Sequence, residues 1–241
     1  LKADDGTTLY AKMHKPQNFD PQKKYPVLIY VYGGPHAQEV KNSWGVGSYL
    51  WLSAFAQNDQ YIVFTLDNRG SENRGFAFES VIHRHLGDYE IKDQLAGVAY
   101  LKSLPYVDAN RIAVHGWSFG GFMASSLLTR HPEVFRTAVA GAAVTDWKYY
   151  EVMYGERYME TPQSNPEGYA ASSLVNRAKD LKGRLQIIVG YNDPTCVLQH
   201  SLMFLRAAED AGTQPDYLVY PGQGNKMPGH ALIPLNEPNN S

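Results

Sequence analysis

Gly116-Trp117-Ser118-Phe119-Gly120 places a serine between two glycines, directly after the apolar run Arg111 to His115 and directly before the helix-forming stretch Gly120 to Arg130. On so sharp a strand-to-helix turn the serine backbone is strained and its hydroxyl is pushed out at the carboxyl edge of a sheet. The flanking residues must lack a Cβ so that strand and helix can approach. The helix N-terminus just beyond supplies backbone N–H groups and a favourable dipole for a developing oxyanion. The chemistry that calls for such a hydroxyl is nucleophilic acyl transfer.

A serine nucleophile needs an acid and a base, which in this setting arrive in the chain order Ser, Asp, His. Asp193 suits the acid, because the loop Gly190-Tyr191-Asn192-Asp193-Pro194 follows the apolar run Leu185 to Val189, at a strand end where ligand-facing residues of open α/β sheets collect. An Asp-Pro turn also forms for purely conformational reasons. His230 follows Asp193 in a loop and is the candidate base, whereas His115 lies inside the strand leading to Ser118 and His200 on a helix-forming stretch. Tyr32, beside Gly33-Gly34-Pro35 at the end of another apolar run, could donate its hydroxyl to an oxyanion together with the Phe119 amide; it also reads as a tyrosine capping a strand. Trp147, Tyr150 and Tyr154 fall at i, i+3 and i+7, and their periodicity alone predicts a core stripe on one helix.

The elements that must position these groups are short β-branched or aromatic runs separated by helix-length segments. The runs are Pro26 to Tyr32, Tyr61 to Leu66, Arg111 to His115, Arg136 to Ala140, Leu185 to Val189 and Tyr217 to Tyr220; the intervening amphipathic stretches are Asp88 to Ser103, Gly120 to Arg130 and Leu198 to Ala211. Parallel strands need crossovers of that length, so the pattern predicts an α/β fold, a mostly parallel sheet with helices on both faces. The chain of 241 residues carries 22 Lys and Arg against 24 Asp and Glu, interspersed, which gives no footprint for nucleic acid. Its longest apolar run, Pro26 to Tyr32, is far short of the ~20 residues of a membrane helix. Cys196 is the single cysteine, which excludes an intrachain disulfide and a cysteine-based zinc cluster. No metal, nucleotide or other cofactor is implied, since the serine turn lacks the Gly-x-Gly-x-x-Gly spacing. The chain opens on Leu1 without a leader pattern and is expected to be a piece of a longer protein.

With Tyr32-Gly33-Gly34-Pro35, Asp67-Asn68-Arg69-Gly70-Ser71, Gly116 to Gly121, Trp147-Lys148-Tyr149-Tyr150, Tyr154 to Met159 and Gly190 to Asp193 in place, the sequence resembles the prolyl oligopeptidase family, in particular the catalytic domain of bacterial dipeptidyl peptidase IV-like enzymes. The resemblance implies an α/β-hydrolase fold over residues 1–241 and a serine peptidase that cleaves short peptides after proline. It implies Ser118 as nucleophile, Asp193 as acid, and Tyr32 with the Phe119 amide as oxyanion hole. Phe119, Val144, Trp147, Tyr150 and Tyr154 would wall in a proline ring, with Cys196 at the lip. The family's β-propeller is not in this sequence, and a periplasmic or cell-surface place in a bacterium is implied by the likeness alone.

Two departures stand against it. The family's histidine lies five residues past the tyrosine of a Tyr-Pro pair, and here Tyr220-Pro221 leads at that spacing to Asn225. Asparagine cannot take a proton from serine, so a catalytically silent binding module on the same fold is the alternative, and a small-molecule esterase a third. After Met227 the likeness ends, leaving 228–241 as a divergent tail where a last helix is expected. That predicts weak stability, or a homo-oligomer that covers the exposed patch.

Overall fold

The computed structural model describes residues 1–43 and 50–225; His230 and the 228–241 tail lie outside the described residues. Seven strands, β1 (Tyr10–His14), β2 (Tyr25–Tyr30), β3 (Ile62–Asp67), β4 (Val107–Trp117), β5 (Thr137–Gly141), β6 (Arg184–Gly190) and β7 (Asp216–Tyr220), form one sheet in the order β1-β3-β2-β4-β5-β6-β7. β1 runs antiparallel to β3 and every other neighbouring pair is parallel. The six predicted strands are all present. β1 is an addition that its sequence, Tyr-Ala-Lys-Met-His, did not announce.

Long crossovers connect the parallel strands: α1 (Leu50–Asn58), α3 (Tyr89–Ser103), α4 (Phe119–Arg130) and α7 (Leu198–Ala211), with the shorter α2 (Phe76–Glu79), α5 (Val152–Met159) and α6 (Pro166–Ser172) in the loops. The pleat of β2 shows how the two faces are filled. Val27 and Ile29 enter the large core with Phe122, Leu127 and Leu128 of α4 and Phe204 of α7, while Leu28 and Tyr30 pack with Leu52 and Ala56 of α1 and with Val63. Helices therefore cover both faces, as the strand and helix pattern predicts.

The chain direction reverses at the centre of this sheet. From β2 the chain steps to β3 on one side and then crosses back to β4 on the other, so the loops leaving β2 and β4 diverge at a topological switch point. Crevices at such points, outside the carboxyl ends of the strands, are where open α/β sheets bind ligands. Tyr32 follows β2, and Ser118 follows β4.

Candidate active site

Ser118 sits at φ 59°, ψ −117°, a backbone region that costs a residue with a Cβ about 1–3 kcal/mol and persists only when neighbours over-determine it. They do so here. The Ser118 N–H donates to the Gly141 carbonyl at 2.8 Å, and its own carbonyl accepts from Phe122 N–H at 3.1 Å as α4 begins. A Cβ on Gly116 would overlap the Gly120 and Val31 carbonyls, and one on Gly120 would overlap Val31 again. The glycines beside the serine are thus a steric requirement of the β4–α4 corner.

On the β2 side, Tyr32 lies half-buried with its ring 6.2 Å from that of Phe119. Gly34 makes this approach possible, since a Cβ there would stand 2.8 Å from Phe119 Cγ and 2.9 Å from Tyr32 Cε1. The Phe119 amide belongs to the first turn of α4, where N–H groups have no intrahelical acceptor.

On the β6 side, Asp193 is 4% exposed, and its carboxylate is held from three directions. Oδ1 accepts from the N–H groups of Thr195 (2.8 Å) and Cys196 (2.9 Å), and Oδ2 accepts from Asn225 Nδ2 at 2.8 Å. Asn225 is itself fixed, because its carbonyl accepts from Trp117 Nε1 at 2.8 Å. The turn before it runs along the acid loop, with Tyr191 N–H donating to the Tyr220 carbonyl at 3.0 Å and Asn192 N–H to that of Gln223 at 2.9 Å. Cys196 bridges the two halves. Its sulfur lies 3.6 Å from Ser118 Oγ, and burial pushes its thiol up to about 12, partly opposed by the Ser118 and Asn225 side chains. It is therefore a neutral, inert lining group.

Ser118, Cys196, Asn225 and Asp193 thus form one contiguous cluster on one rim of the sheet. No histidine of the described residues joins it. His115 is buried within β4 with Nδ1 3.0 Å from the Val139 carbonyl, and His200 on α7 is buried with Nδ1 accepting from Thr145 N–H at 3.3 Å. Burial holds His200 below the ordinary histidine range, so it is neutral.

The aromatic set meets beside Ser118, but not as the single helical stripe its spacing suggests. Trp147 opens a 3-10 turn (Trp147–Tyr149), Tyr150 is extended at φ −85°, ψ 170°, and only Tyr154 lies on α5. Asp146 imposes the break by accepting from Lys148 N–H at 3.0 Å through its side chain. The rings then form a box. Trp147 stacks on Tyr154 (5.9 Å, 13°), Tyr150 stands edge-on to both (5.4 and 5.3 Å), and Phe119 closes the side nearest the serine at 5.4 Å from Trp147. Val144 is buried, and burial raises the Tyr150 and Tyr154 hydroxyls well above their ordinary value, keeping both neutral. The walls are flat, apolar and uncharged. No cluster of His, Cys, Asp and Glu that could hold a metal occurs among the described residues.

The prolyl oligopeptidase family profile matches residues 48–231. The chain belongs to the prolyl oligopeptidase family. Among the family's members, human dipeptidyl peptidase 8 is 37% identical over 231 residues, covering 94% of this chain and 26% of that protein. The crystal structure of a candidate dipeptidyl aminopeptidase IV from Bacteroides ovatus superposes with a TM-score of 0.92 at 56% identity, over 95% of this chain and 32% of that one. Dipeptidyl peptidase 4 of Porphyromonas gingivalis superposes at 0.86 with 35% identity, over 93% and 31%. These neighbours establish the α/β-hydrolase fold. This prolyl oligopeptidase-family chain spans about a quarter to a third of the length of those relatives.

Proposed function

We propose that this chain is the catalytic domain of a serine peptidase that cleaves short peptides after proline. Ser118 Oγ attacks the scissile carbonyl carbon as its proton passes to the imidazole of His230, whose conjugate acid Asp193 stabilises. The Tyr32 hydroxyl and the Phe119 amide receive the oxyanion, the imidazolium returns its proton to the departing amine, and water then hydrolyses the acyl-Ser118 ester by the same route. The observation that carries this reading is the strained Ser118 beside a neutral aromatic box, on the same rim as a carboxylate with fixed orientation. A pyrrolidine ring is compact, apolar and without an N–H, so stacked rings recognise it by burial. The family match reaches residue 231 and so spans both Asn225 and His230.

One contact favours the second reading, a silent module that binds peptides without cleaving them. Asn225 Nδ2 donates to Asp193 Oδ2, the kind of bond the ring N–H of a catalytic imidazole makes to its acid, and a carboxamide accepts no proton at neutral pH. The test is labelling by a fluorophosphonate probe together with turnover of Gly-Pro-nitroanilide. The peptidase reading expects labelling that Ser118→Ala abolishes and turnover that His230→Ala lowers about 10⁴-fold. Turnover indifferent to His230→Ala removes His230 as the base. Absence of both activities, with turnover gained by Asn225→His, establishes the silent module.

A further inference from the structure

At the opposite edge of the sheet from Ser118, an open groove of about 680 Å³ is lined by Pro132, Glu133, Arg136, Lys182, Gly183 and Arg184. We propose that this groove binds a phosphate-type anion, carried either by a soluble phosphate ester or by a phospholipid headgroup.

The charge is uneven. Three cations and one carboxylate line the groove in a chain whose net charge is −2. Glu133 is turned to His131, with Oε1 3.1 Å from its Nδ1, and Arg184 reaches Asp216 only at 3.4 Å. Arg136 and Lys182 are exposed and form no ion pair among the described residues.

The backbone fixes where these cations stand. Arg184 N–H donates to the Arg136 carbonyl at 2.8 Å, and the next residue, Thr137, pairs with Arg184 in the β5–β6 register. Gly183 lets the chain close on this point, since a Cβ there would stand 2.7 Å from the Arg136 carbonyl oxygen and 2.8 Å from Leu128 Cδ1. Arg136, one residue before β5, and Arg184, which opens β6, are thus held on neighbouring chain segments whose backbones run about 4.8 Å apart, with Lys182 two residues before Arg184. Like charges gathered along one groove repel one another, and a bound oxyanion offsets that repulsion. Guanidinium forks match the paired oxygens of phosphate, and the lysine adds a point charge. The groove is separated from the Asp193 loop by the length of β6, roughly 20 Å for its seven residues.

The experiment titrates the 241-residue chain with inorganic phosphate and with glycerol 3-phosphate, following backbone amide shifts of Arg136, Lys182, Gly183 and Arg184 by NMR. In parallel, the chain is sedimented with phosphatidylcholine vesicles with and without phosphatidylglycerol. The proposal expects saturable shifts confined to the groove, weakened about tenfold in the double variant Arg136→Gln, Lys182→Gln and unchanged in Lys23→Gln. All three side chains are exposed, and amide positions outside the groove report that the variants fold. Sedimentation that requires both phosphatidylglycerol and the two cations assigns the headgroup; shifts with no such sedimentation assign the soluble ester. Chloride reproducing the shifts at equal ionic strength, or a double variant with undiminished binding in both arms, overturns the proposal.

Discussion

Glu90 presents the plainest electrostatic problem at the scale of single residues. It is wholly buried in the first turn of α3, where Oε2 accepts from Gly87 N–H at 3.0 Å and Oε1 has no partner among the described residues. Burial pushes its carboxyl from 4.5 up to about 8, with Asp88 and Asp93 adding to the rise, so the folded protein holds this proton at neutral pH. Between those two values the folded state binds more protons than the unfolded chain, and stability therefore falls as pH rises. The stabilising proton is fully present below pH 4.5 and lost on passing through about 8. The urea midpoint of the wild-type chain should drop from pH 5 to pH 8, and Glu90→Gln should flatten that slope; an equally steep slope in the variant would assign it to other groups. Nothing in the sequence marks Glu90, because its burial arises only when α3 packs on the sheet. By contrast, Ser118 and Asp193 are legible as a pair, since each follows an apolar strand and carboxyl ends of parallel strands share one rim. Spacing also picks out Asn225. Its hydrogen bond to Asp193 depends on Trp117 holding its carbonyl, a contact across 108 positions that no local pattern encodes.

At the scale of elements, strands announce themselves as continuous apolar or aromatic runs, and the six such runs here became β2 to β7. β1 escaped because Lys12 and His14 interrupt its apolar pattern, whereas the other edge strand, β7, is buried no more deeply but keeps the continuous run Tyr217 to Tyr220. The Trp147-Tyr150-Tyr154 spacing misleads for a different reason, namely that a side-chain cap at Asp146 starts a new turn and periodicity contains no term for it. A second cap fixes the segment that carries Tyr154. Asn165 accepts from Gly168 N–H at 3.2 Å at the start of α6, and its Nδ2 donates to the carbonyls of Arg84 (2.9 Å) and Met159 (3.0 Å). One amide thereby joins the end of α5, the start of α6 and the loop before α3. Asn165→Ala should cost about 2–4 kcal/mol, the loss of a cap plus two stranded carbonyls, read as a shift in urea midpoint. Asn165→Asp keeps the cap acceptor but sets a buried carboxylate oxygen against the Arg84 and Met159 carbonyls, so it should cost at least as much as alanine. A loss in Asn165→Asp clearly smaller than in Asn165→Ala would locate the effect in the cap; losses at least as large would locate it in the two donated bonds.

At the scale of the whole molecule, the chain's amino terminus, the sheet and the candidate oxyanion loop are joined through the turn after β3. Asn68 Nδ2 donates to the Gly33 carbonyl at 2.9 Å, and Gln94 of α3 donates to Asn68 Oδ1 at 3.0 Å. Next to it Arg69, 2% exposed, gives Nε and Nη2 to Asp93 Oδ1 at 3.1 and 2.7 Å, while Asp93 Oδ2 accepts from its backbone N–H at 2.7 Å. The remaining guanidinium protons reach outward to Asp4 (2.7 Å) and Asp5 (2.9 Å), whose side chains are 61% and 49% exposed. Burial decides which of these ion pairs matters. Removing Asp4 or Asp5 by substitution with alanine forfeits a solvent-screened partner and should lower the urea midpoint only slightly. Asp93→Ala removes the only buried partner of the guanidinium among the described residues, leaving it the two exposed carboxylates, and leaves the Arg69 N–H without its acceptor, which should cost about 3–5 kcal/mol. Salt separates the two cases, because screening over ~3 Å at 1 M erases the surface contributions and barely touches the interior one. Urea melts at low and high salt should show the Asp4 and Asp5 losses vanishing and the Asp93 loss persisting. If the Asp93 loss also vanished in salt, the pair would be solvated and the turn held by the Asn68 and Gln94 bonds. A persistent loss identifies Arg69–Asp93 as the tie through which the amino-terminal turn and α3 fix the strand-end loops around Ser118.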